Sequence, residues 1–132
     1  MKLNTTSQYA IRIMAFIVKN KSDKLFNAKV LSKSLSIPYK YLTRIMTQLV
    51  EAKIIISVRG REGGFSIAKD PITIKIIDIL DAVKECLHGA NCVLGVGLCN
   101  VNKKCALHDE WKTPKETMLN MFQNKTLADI AK

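Results

Sequence analysis

No stretch of this sequence approaches the roughly 20 consecutive apolar residues that a membrane-spanning helix needs. The N-terminus also lacks the apolar run and small-residue cleavage site of a secretory leader: Lys2 is followed by polar Asn4, Thr5, Thr6, Ser7 and Gln8. Together these absences argue against a membrane partner and predict a cytoplasmic protein. There is no internal repeat and no low-complexity tract. What remains is an ordinary chain of 132 residues, 48% of them hydrophobic, which is enough for one core. Acid is scarce as well, at 11 Asp and Glu against 21 Lys and Arg. The scarcity is local: residues 1–69 hold 3 acids against 13 cations, and residues 70–132 hold 8 of each. A basic half joined to a neutral half fits a polyanion-binding module (residues 1–70) joined to something else (residues 71–132).

The basic half divides into recognisable pieces. Thr6 or Ser7 can cap a first helix whose inward face is Ala10, Ile13, Met14 and Ile17. Asn20 to Lys24 form a polar turn, and Asn27 can cap a short second helix with Val30, Leu31 and Leu35 inward. Ser36-Ile37-Pro38 turns tightly into a third helix of about Pro38 to Ala52. Leu42, Ile45, Met46 and Leu49 form its apolar stripe. The opposite face carries Lys40, Thr43, Arg44 and Thr47, with Tyr41 beside them, and contains no acid. Long cations and hydroxyls are the groups that reach phosphates and base edges. Two strands follow, Ile54 to Val58 and Phe65 to Ile67, around Arg59-Gly60-Arg61-Glu62-Gly63-Gly64. A Gly-rich loop that cradles phosphate needs a helix directly after it. Here a strand follows, so a nucleotide-binding loop is excluded and a hairpin tip is expected. This order of elements is that of a winged helix-turn-helix: a mainly α fold with a small β-hairpin wing. Lys40, Tyr41, Thr43 and Arg44 are the expected readers of double-stranded DNA, with Arg59 and Arg61 on the wing.

In the second half, a helix after Asp70-Pro71 buries Ile76, Ile79, Leu80 and Val83, with Cys86 and His88 at or past its end. The last helix carries Trp111, Met118, Leu119, Met121 and Phe122, and Thr113-Pro114-Lys115-Glu116 predicts that it starts or bends at Thr113. Little chain is left to cover its apolar residues, so a second copy of the same helix is expected to cover them in a homodimer. Thr126 to Ala131 read as one more short helical turn.

Between these helices lie Cys92, Cys99, Cys105 and His108. Six residues separate the first pair of cysteines, five the second, and two separate Cys105 from His108. Outside oxidising compartments, clustered thiols more often mean metal or redox chemistry than structural disulfides. Soft ligands at this spacing suit an iron–sulfur cluster or a structural zinc, and a plain thiol switch uses the same residues. Cys86 reads as a small core residue. An enzyme with Cys105 as nucleophile and His108 as base lacks an acidic orienter or an oxyanion motif in the sequence.

Several of these motifs together resemble one family. They are Tyr9-Ala10, Ser57-Val58-Arg59-Gly60 running into Gly63-Gly64-Phe65, the three cysteines with His108 and Trp111, and Asn124-Lys125-Thr126-Leu127-Ala128. The chain is similar over nearly its whole length to the bacterial iron–sulfur winged-helix regulators typified by IscR, NsrR and RirA. That resemblance implies an N-terminal winged helix, a C-terminal dimerisation helix and a 2Fe–2S or 4Fe–4S cluster on Cys92, Cys99 and Cys105. It also implies homodimers on approximately palindromic DNA sites. His108 matches the histidine of the IscR pattern. The NsrR pattern takes its fourth ligand from an acidic residue of the partner's first helix, where this chain has Gln8. The first cysteine spacer is one residue longer than in the IscR pattern, and Thr43 replaces an acidic residue there, so the operator sequence does not carry over.

Overall fold

The computed structural model describes residues 3–20, 25–85, 102 and 104–131. Helix α1 (Thr5–Lys19) begins earlier than the sequence suggests. Asn4 is its cap, accepting the Ser7 N–H at 2.8 Å, which leaves the side chains of Thr6 and Ser7 free for other partners. Its buried face is Ser7, Ala10, Ile13, Met14 and Ile17. Helix α2 (Ala28–Leu35) is capped by Asn27, whose side chain accepts the Lys29 N–H at 2.7 Å. Of its expected inward residues only Leu31 is fully buried; Val30 is exposed. The turn that ends α2 places Ser36 at φ 55°, and Ile37 N–H returns to the Ser32 carbonyl at 3.1 Å. Helix α3 (Tyr39–Glu51) then starts with Pro38 at the cap position rather than inside the helix. Pro38 donates no N–H, and its carbonyl accepts from Leu42 at 2.9 Å.

Leu42, Ile45, Met46 and Leu49 are all fully buried, so the inner face of α3 is the centre of the core. Ile45→Ala is expected to lower stability by about 2–5 kcal/mol, because the emptied volume is enclosed on all sides. Urea unfolding with an unchanged m-value measures this; a loss well under about 1 kcal/mol would show that this face is not the packed one.

Strands β1 (Ile55–Val58) and β2 (Gly64–Ile67) pair antiparallel, with Ile55 opposite Ile67 and Val58 opposite Gly64. The tip closes through a Gly63 N–H to Gly60 carbonyl bond of 3.1 Å. Gly60 sits at φ 119°, which only glycine adopts readily. A Cβ on Gly63 would lie 2.2 Å from the Val58 carbonyl oxygen, so this position admits no side chain. The wing gains a third backbone partner that the sequence did not announce. Phe26 and Phe65 exchange both N–H groups, at 2.9 and 2.8 Å, tying the wing to the start of α2.

Asp70 caps a short 3₁₀ turn, Pro71–Thr73, and α4 (Ile76–Ala82) follows. Helix α5 (His108–Asn124) starts at His108, five residues before Thr113, and runs through Pro114. Of the two expectations, a start or a bend at Thr113, the start is therefore corrected. Asp109 and Glu110 in the first turn complement the helix dipole and favour the earlier start. Helix α6 (Leu127–Ile130) is closed by a capping box between Thr126 and Asp129. Leu127 N–H donates to Ile74 at 2.7 Å, and Ile76 N–H donates to Lys125 at 3.0 Å. Ile74, Ile76, Ile79, Leu80 and Leu127 thereby join the same hydrophobic cluster as Ile13 and Leu42. Met118, Leu119 and Phe122 of α5 pack against it partly buried, while Met121 is exposed. Among the described residues no helix is long and apolar enough to cross a membrane.

Candidate nucleic-acid interface and cysteine turn

Packing the apolar stripe of α3 inward leaves its other face outward. Lys40, Arg44 and Thr47 are exposed there, and Thr43 is half-buried. Both threonine hydroxyls donate to carbonyls of their own helix, Thr43 to Lys40 and Thr47 to Thr43, each at 2.9 Å. So bonded, the Thr43 hydroxyl has its proton committed and keeps acceptor capacity, beside its methyl group. An acceptor suits the exposed amino group of adenine or cytosine, and a methyl suits that of thymine. No side chain caps the N-terminus of α3, and Lys40 lies in its first turn, at the positive end of the helix dipole.

Tyr41 stands apart from the other expected readers. It is half-buried, its hydroxyl is hydrogen-bonded to Thr6 of α1, and its ring meets Tyr9 edge-on at 5.5 Å. Tyr39 is not among the readers expected from the sequence. In the structure it is 48% exposed at the very start of α3. On the wing, Arg59 and Arg61 are both exposed at the tip, with Glu62 beside Arg61.

The cysteine-bearing segment is described only at its C-terminal end. Cys92 and Cys99, with Cys86 and His88, lie outside the described residues. Cys105 is a free, half-buried thiol in the turn before α5. The His108 N–H donates to the Cys105 carbonyl at 3.1 Å, so these two expected ligands are held one turn apart at the mouth of the helix. Lys104 lies 3.5 Å from Asp109 across the same turn, but both side chains are too exposed for the pair to fix it. A further turn along α5, the Trp111 indole N–H is buried and has no acceptor among the described residues. A buried donor without an acceptor is costly, and thiolate or sulfide sulfur can accept it. Among the described residues no three His, Cys, Asp or Glu side chains converge as a metal site. Two of the four expected ligands are among those described, and their donor chemistry fits a thiolate-bound cluster. Gln8 turns its amide to the Leu3 carbonyl at 2.7 Å.

Residues 3–132 match the Rrf2 family model, described as an iron-dependent transcriptional regulator. This chain belongs to the Rrf2 family. A relative from Aquifex aeolicus, named as a candidate HTH-type transcriptional regulator, is 29% identical and covers 98% of this chain and 91% of its own length. The HTH-type transcriptional regulator IscR of Klebsiella pneumoniae is 27% identical over 98% of this chain and 79% of its own. In fold, the chain is similar to CymR, the global cysteine regulator of B. subtilis. That match has a TM-score of 0.83 at 20% identity and covers 99% of this chain and 96% of that one. As an Rrf2 protein the chain is a DNA-binding regulator of transcription and not an enzyme, which disposes of the Cys105–His108 nucleophile. The winged-helix fold expected from the order of its elements is the fold of its structural neighbours.

Proposed function

We propose that this Rrf2 protein is a repressor whose affinity for DNA is set by an iron–sulfur cluster, 2Fe–2S or 4Fe–4S, on Cys92, Cys99 and Cys105, with His108 as fourth ligand. Residues 1–70 read the DNA, and residues 71–132 carry the cluster segment and the dimer helix α5. The observation that carries this reading is the Cys105–His108 turn, followed one turn along α5 by the buried Trp111 N–H, which has no acceptor among the described residues. The cluster, when bound, changes charge and ligation with redox, iron or nitric oxide status. The chain's own residues hold it beside the helix that pairs the two copies. A homodimer presents two copies of α3 to successive major grooves of an approximately palindromic operator, with Lys40, Thr43 and Arg44 on the bases and phosphates. Arg59 and Arg61 grip phosphate or enter the minor groove beside it.

The reading is tested by measuring affinity for a duplex that the protein selects from a random pool, before and after the metal is stripped by chelation. Retained affinity that differs several-fold between the two states supports it; failure to select any duplex at low salt contradicts it. Two substitutions separate the roles. Arg44→Ala is expected to reduce both affinity and discrimination, by about 1–3 kcal/mol if it reads a base. Arg59→Ala weakens binding to all sequences alike. Equal loss of discrimination in both variants would mean that the wing also reads sequence. A structural zinc on the same four residues predicts a colourless protein whose DNA affinity does not respond to redox state.

A further inference from the structure

The first turn of α1 reaches two distant parts of the chain with adjacent side chains. Thr6 shares a hydrogen bond with the Tyr41 hydroxyl, 35 positions away on α3. Ser7 is fully buried and donates its hydroxyl to the Glu85 carboxylate at 2.6 Å, 78 positions away. Adjacent residues of a helix diverge by about 100°, so one turn can hold two neighbours at once. Asn4 fixes that turn through the Ser7 N–H. Both ends of the connection matter. Tyr41 lies next to Lys40 on the helix that carries the basic face. Glu85 closes α4, its N–H donating to the Leu80 carbonyl at 2.9 Å, and the cysteine-bearing segment begins directly after it. A buried hydroxyl on a carboxylate is a charge-assisted bond, and breaking it strands a buried polar group.

We propose that the first turn of α1 is a coupling element and that Tyr41 is a positioning residue rather than a DNA contact. Thr6 sets the seat of the reading helix through Tyr41, and Ser7 ties that seat to Glu85 at the root of the cysteine segment. Displacement of Glu85 moves Ser7, and with it Thr6, Tyr41 and the basic face of α3. The proposal rests on α3 being the reader and on no particular metal.

The test is a double-mutant cycle on affinity for a duplex selected by the wild-type protein, compared with a scrambled duplex of equal length. Tyr41→Phe and Glu85→Ala are each expected to cut discrimination roughly 2- to 30-fold. The double variant loses no more than the worse single, because both cut the same connection. Thr6→Val reproduces Tyr41→Phe, and Glu85→Gln, which still accepts from Ser7, restores most of the loss. The salt dependence of binding stays at the wild-type value in Tyr41→Phe and Thr6→Val, since neither removes a cation. Losses that multiply in the double variant, or a Thr6→Val protein with wild-type affinity, overturn the proposal. Arg44→Ala separates the two ways of failing. If it leaves affinity intact, α3 is not the reader and the proposal falls with that reading. If it is damaging while the double variant multiplies, the proposal alone fails.

Discussion

Raising the salt from about 50 to about 200 mM is expected to weaken DNA binding by roughly 10⁴-fold. The size follows from counting cations. Lys40, Arg44, Arg59 and Arg61 are exposed on the basic face and the wing, so the two reading heads of the proposed homodimer bring about eight to the duplex. Each phosphate neutralised contributes about −0.9 to the slope of log K against log salt, giving a slope near −7. A single head engages about four phosphates, with a slope nearer −3.6 and a loss of only about 10²-fold over the same range. The measurement therefore counts heads as well as charges. The acid-poor composition of residues 1–69 removes the internal partners that would otherwise neutralise these cations. A slope near zero would contradict the assignment of the basic half as the reader.

The second large effect concerns the thiols. Wild-type protein loaded with a cluster and the same protein stripped of it are expected to differ about 5- to 150-fold in affinity for the selected duplex, the usual span of coupling between two sites. Cys99→Ala is expected to abolish the difference, so that reconstituted and stripped variant proteins bind alike. The proposed ligands, three thiolates and an imidazole, would supply enough binding energy to bias such an equilibrium, since moving a population almost completely from one state to the other takes about 5.5 kcal/mol. His108→Ala separates the fourth ligand from the thiols. With His108 in the site, its loss lowers cluster retention while Cys105 still binds. A Cys99→Ala protein that still responds to reconstitution would rule out sensing through these cysteines.

Much of the fold was legible because its signals are local. The four-residue stripe of α3, the Asn27 cap and the Gly-rich tip each lie within a few positions of the structure they specify. The errors have local causes too. Asn4 precedes three residues that can all cap a helix, and nothing local chooses among them. Thr113-Pro114 reads as a helix start or a bend, and the start fails because α5 has a favourable acidic first turn upstream at Asp109 and Glu110 and runs through Pro114. What the sequence could not show is non-local. The Phe26–Phe65 pairing and the Thr6–Tyr41 and Ser7–Glu85 bonds join residues 35 or more positions apart. Tyr41 is expected at the DNA from its place on α3, and its hydroxyl partner Thr6 was not legible because it lies on another helix. The one-turn spacing of Cys105 and His108 was legible in the sequence, whereas the buried Trp111 N–H beyond them became visible only in three dimensions.

Quantification of iron and acid-labile sulfide in anaerobically purified protein bears most directly on the iron–sulfur reading. Iron and sulfide in equal amounts, two or four of each per chain, are expected. One zinc per chain without sulfide, or no metal in protein that still binds its duplex, would contradict it.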